Sequence, residues 1–131
     1  MRPVEIRIPA RPEFVGVVRL ALAALARGAK LDEEKLDELK IAVSEACTNS
    51  VMAQAEAGDE RPVRVVWVAE ESVVTIDISG APAPAPGERM EDTQGISTRV
   101  RMSEDLLRSL VDDYSVIEQP DGHVARLRVG I

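Results

Sequence analysis

Val4, Ile6 and Ile8 alternate with Glu5 and Arg7, a period of two that predicts a half-buried strand ended by Pro9. From Pro12 the period lengthens. Phe14, Val17, Val18, Ala21, Leu22 and Leu25 follow helical spacing, proline suits the first helical turn, and Gly28 supplies a stop. Asp32 then caps a longer helix that runs to about Ala57, where Gly58 stops it; its inner stripe reads Leu36, Leu39, Val43, Ala46, Cys47 and Ser50–Val51. Glu33 and Glu34 stand near the positive end of that helix. Val63, Val65 and Trp67, set against Val66 and Val68, and then Val74, Ile76 and Ile78, predict a hairpin turning at Glu70-Glu71-Ser72.

Residues 80–99 hold three prolines and three glycines with little apolar period, which predicts a long, lid-like loop. Ser103 fits an N-cap, with Glu104 and Asp105 in the first turn and Leu106, Leu107, Leu110 and Val111 facing inward. A second hairpin, Tyr114 to Glu118 and Val124 to Val129, turns at Pro120-Asp121-Gly122. Hairpins outnumber β-α-β crossovers, so the expected fold class is α+β: a two-layer sandwich, a mostly antiparallel sheet with helices on one face, as one domain over residues 1–131.

Composition narrows the function classes. Aromatics are 2% of the chain, so the core is aliphatic and rings for stacking on bases are lacking. The net charge of −7 opposes phosphate backbones, and no direct nucleic-acid contact is expected. Charge is uneven, +4 over residues 1–30, −7 over 31–60 and −4 over 61–131, which marks the start of the second helix as an acidic face. Cys47 is the sole cysteine, a small buried hydrophobe on the inner stripe, and with His123 the sole histidine no common zinc site can be built. Charges every few residues in Met1–Pro9 break the apolar core a signal peptide needs, and no apolar run approaches the ~20 residues of a membrane span. A cytoplasmic protein without membrane contact is expected.

The chemistry concentrates in Ala42-Val43-Ser44-Glu45-Ala46-Cys47-Thr48-Asn49-Ser50. Glu45 and Asn49, four residues apart, share a helix face off the apolar stripe. A carboxylate can take a proton from a hydroxyl nucleophile, and an amide oxygen is a hard ligand suited to Mg²⁺. A polar helix face is the plainer reading of the same pair.

The run Ser44-Glu45-Ala46-Cys47-Thr48-Asn49-Ser50, late in a long second helix and followed by a hairpin, long loop, helix and hairpin, resembles the anti-sigma factor serine kinases of the Bergerat, or GHKL, ATPase class. The resemblance covers nearly the whole chain and is sharpest at the family's N-box, Glu45 through Asn49. It implies a general base at Glu45, Mg²⁺ on ATP phosphates held by Asn49, and a target serine on an anti-anti-sigma partner. It further implies sequestration of an alternative sigma factor, and a homodimer.

Other boxes of that family depart here. Aligning Gly80 with the first glycine of its Asp-x-Gly-x-Gly box puts Ile78 in place of the aspartate that recognises adenine, and Pro82 in place of the second glycine. Asp77 is adjacent, but strand side chains alternate, so it serves adenine only if the register slips. The second glycine box aligns with Arg101-Met102-Ser103, where a capped and already acidic helix start opposes a triphosphate. Three readings follow: a regulatory protein with weakened or lost ATP binding; an ATP- and Mg²⁺-dependent serine kinase using Glu45, Asn49, Asp77 and Gly80; and a plain dimerisation module.

Overall fold

A computed structural model describes residues 2–83 and 94–131. In chain order the elements are β1 (Val4–Ile8), α1 (Val15–Gly28) entered through a 3-10 turn at Pro12–Phe14, α2 (Glu33–Glu56), β2 (Val63–Ala69), β3 (Val73–Ser79), α3 (Gln94–Leu110), β4 (Asp113–Gln119) and β5 (Gly122–Gly130). The five strands form one sheet in the order β1-β2-β3-β5-β4, and every neighbouring pair is antiparallel. The fold is α+β, as the excess of hairpins requires.

Strand alternation sends Val63, Val65, Trp67, Val74, Ile76, Ile78, Ala125, Leu127 and Val129 to the helix side, where all are buried. They meet Val18, Leu22 and Ala26 of α1, Leu39, Val43, Cys47 and Val51 of α2, and Leu107 of α3 in one aliphatic core. Complete burial of a side chain such as Leu39, Ile76 or Leu107 contributes about 1.5–3 kcal/mol. The opposite sheet face carries Glu5, Arg64, Asp77 and Arg126. No helix among the described residues is long and apolar enough to cross a membrane.

The ends of α2 are fixed by local chemistry. The Asp32 carboxylate accepts a hydrogen bond from the Lys35 amide at 2.8 Å, closing the first turn. At the other end Gly58 adopts φ +68, Asp59 N–H donates to Gln54 O and Gly58 N–H to Ala55 O, which is a Schellman stop.

Two expectations are corrected. Val17 does not join the inner stripe of α1: it is 51% exposed, because the buried face centres on Val15, Val18, Leu22 and Ala26. Ser103 does not cap α3, which begins at Gln94 and runs through it. Ile96, Val100, Leu107 and Leu110 keep helical spacing on both sides of Ser103, so the N-cap expected at Ser103 has no break in period behind it. Residues 94–99 of the expected 80–99 loop are therefore helix, and residues 84–93 of that loop lie outside the described residues.

Candidate functional site

α2 carries Glu45 and Asn49 one turn apart on its flank, both half-buried, while Ala46, Cys47 and Ser50 turn into the core. α3 packs alongside and brings Ser103 against both. The Ser103 hydroxyl donates to Glu45 Oε2 at 2.5 Å and accepts from Asn49 Nδ2 at 2.7 Å. Leu107, one turn further along α3 and fully buried, anchors the same face of the helix. The hydroxyl has one proton, and that proton is committed to the carboxylate. Hydrogen bonds to an ionised acceptor are about twice as strong as neutral ones, so this contact fastens α3 to α2 as well as filling the site.

A carboxylate within hydrogen-bond reach of a serine hydroxyl is the arrangement proton abstraction requires. Glu45 and Asn49 are thus brought together, as their spacing predicts. Asp77 is not brought to them. Its register partner on β5 is Arg126, which clasps it through two hydrogen bonds of 2.8 and 2.9 Å on the far face of the sheet, while Ile76 and Ile78 on either side are fully buried. Strand alternation has kept its register, and the adenine role considered for Asp77 would require that register to slip.

Gly80 closes β3 with φ +84 and donates its N–H to His123 O at 2.9 Å. A Cβ there would stand 2.3 Å from Gln54 Oε1, so the space over the glycine is already filled by a side chain of α2. Gln54 is itself buried and donates to the Arg61 carbonyl at 2.5 Å. Gly80 and Gln54 help line a pocket of about 420 Å³ with Arg61, Arg64, Asp121 and His123; Glu45, Asn49 and Ser103 do not line it.

Sequence reasoning missed three residues of this region. Ser103 mimics a helix start; the unbroken helical spacing from Ile96 to Leu110 is the signal that places it on the inner face instead. Gln54 carried no signal beyond its position at the end of α2. Ser50, read as part of the apolar stripe, is buried with its hydroxyl unpartnered among the described residues.

Residues 8–129 match the family described as the histidine kinase-like ATPase domain. Similar proteins include the serine-protein kinase RsbW of Bacillus pumilus, 38% identical over 78 residues, which is 58% of this chain and 48% of that protein. The RsbW of Bacillus subtilis is 48% identical over 48 residues, 37% of this chain and 30% of the relative. The RsbW of Listeria monocytogenes is 36% identical over 76 residues, 58% and 48% respectively. The chain spans less than half the length of these curated relatives.

Proposed function

The chain belongs to the histidine kinase-like ATPase domain family, and we propose from that premise that it is an anti-sigma-factor-like regulatory protein with weakened or lost ATP binding. Its partner is an alternative sigma factor or an anti-anti-sigma protein, and it acts as a homodimer in the cytoplasm. Similarity to serine-protein kinases named RsbW supports the regulatory role.

One observation carries the weakened site: the two side chains that the family resemblance assigns to magnesium and proton transfer are both bonded to Ser103. ATP and Mg²⁺ are what the family implies; against a magnesium nucleotide stand the Ser103 hydroxyl between Glu45 and Asn49 and the amide of Asn49 held in one orientation through its Nδ2. Ile78, where an adenine-recognising carboxylate is expected, is fully buried and has no acceptor, and Gln54 fills the space at Gly80. Calorimetric titration of the purified sigma factor into the full chain, with and without ATP and Mg²⁺, tests this. Equal affinity in both conditions is expected; binding that requires the nucleotide overturns it.

A second reading, an active ATP- and Mg²⁺-dependent serine kinase of an anti-anti-sigma factor, draws support from one contact. Glu45 already accepts a serine hydroxyl at 2.5 Å, the contact a general base makes with its target.

A further inference from the structure

The Glu45–Ser103–Asn49 contact ties three polar side chains together across two helices. One hydroxyl reaches two polar side chains of another helix at once, with distances of 2.5 and 2.7 Å, and its donor goes to the carboxylate. Ser103 is neither a cap nor a surface residue of α3: it is half-buried in the helix interior, between exposed Met102 and, one turn on, fully buried Leu107. The contact joins residues 54 and 58 positions apart in sequence, so it exists only while α3 lies against α2.

We propose that Ser103 is a built-in pseudosubstrate: its hydroxyl takes the place at Glu45 that the hydroxyl of an incoming serine would take, and by holding Asn49 through its Nδ2 it fixes the orientation of the amide whose oxygen a magnesium nucleotide would recruit. This inference rests on the roles given to Glu45 and Asn49 under the proposed function. Competition follows from occupancy of one position. Ser103 Oγ stands 2.5 Å from Glu45 Oε2 and 2.7 Å from Asn49 Nδ2, so a partner's hydroxyl cannot take that position between the two side chains while Ser103 is there, and the Asn49 side chain cannot turn without breaking its bond to Oγ. Both bonds are intramolecular, so an external ligand competes against an effective concentration set by the packing of α3. Ligand affinity is reduced by the fraction of time that Ser103 occupies the site.

The device differs from simple loss of the site, because removing one hydroxyl relieves the part of the weakening that Ser103 causes while leaving Ile78 and Gln54 as they are. Ser103→Ala keeps α3 helical, alanine being the best helix former, and leaves Leu107 in the core. Ser103→Thr retains the hydroxyl. Titrating ATP with Mg²⁺ into the full chain by calorimetry, S103A is expected to bind at least tenfold more tightly than the unmodified protein, and S103T to show no gain. Ser103→Cys, near-isosteric and a poor donor, repeats the comparison and is expected to follow S103A should the alanine variant not fold.

Equal affinity of the hydroxyl-free variants and the unmodified chain overturns the pseudosubstrate, whether all bind or none does. Absence of binding in all of them leaves the weakened-site reading standing while removing Ser103 as its cause. Micromolar binding by the unmodified chain overturns the weakened-site reading; the pseudosubstrate then holds only if S103A binds tenfold tighter still.

Discussion

Cys47 illustrates what burial does to a single group. Packed in the core at 0% exposure, its thiol is pushed up to about 11, because the apolar surroundings disfavour the thiolate. At pH 8 the reactive form is therefore scarce as well as shielded. Alkylation of the folded protein is expected to be slow, and rapid once denaturant is added; fast labelling of the native chain at pH 8 contradicts the assigned burial. Asp59 is shifted the other way, down to about 2, first by its side-chain hydrogen bond with Arg61. A depressed carboxyl contributes stability above its ordinary value of 3.8 and loses it as pH falls through about 2. An NMR titration of the Asp59 carboxyl is expected to show its midpoint near the lower figure; a midpoint at the ordinary value removes the Arg61 clasp. Gly80 bears both a left-handed backbone and the Gln54 side chain against its Cα, so Gly80→Ala is expected to cost about 1–3 kcal/mol in urea unfolding. Legibility at this scale followed chemistry. Glu45 and Asn49 could be paired from spacing alone, since helical geometry makes residues four apart neighbours. Their partner Ser103 could not be, because a contact between two helices depends on how they pack.

At the scale of elements, boundaries with an explicit chemical signal were legible. Asp32 caps α2 and Gly58 ends it, and both act as their residue types predict. Replacing Asp32 with alanine is expected to cost about 1 kcal/mol and lower the melting temperature by a few degrees, read by circular dichroism. An unchanged transition would contradict the cap. α3 was legible only in its second half. Ser103 followed by Glu104 and Asp105 imitates a helix start, while the real helix already extends back to Gln94. Local capping preference gave way to tertiary packing, which holds the Ser103–Leu107 face against α2. The four strands of the hairpins were found within a residue or two, because alternation leaves only one set of side chains for the core.

For the whole molecule, the two layers and the antiparallel sheet followed from the order of elements, whereas the burden on function falls on charge and on the N-box. Glu33 and Glu34 are exposed at the start of α2, in the segment that carries −7. If this acidic face docks basic regions of a sigma factor, reversing both charges is expected to weaken binding several-fold at low salt and flatten its salt dependence, since such steering is screened over ~10 Å. Unchanged affinity at low salt takes the face out of the interface. The central proposal is narrower: a family scaffold in which Glu45 and Asn49 are both bonded to Ser103 and in which buried Ile78 stands where the resemblance expects the carboxylate for adenine. Its most direct test is calorimetric titration of the unmodified full chain with ATP and Mg²⁺. The account predicts no binding in the micromolar range, and a micromolar dissociation constant would contradict it.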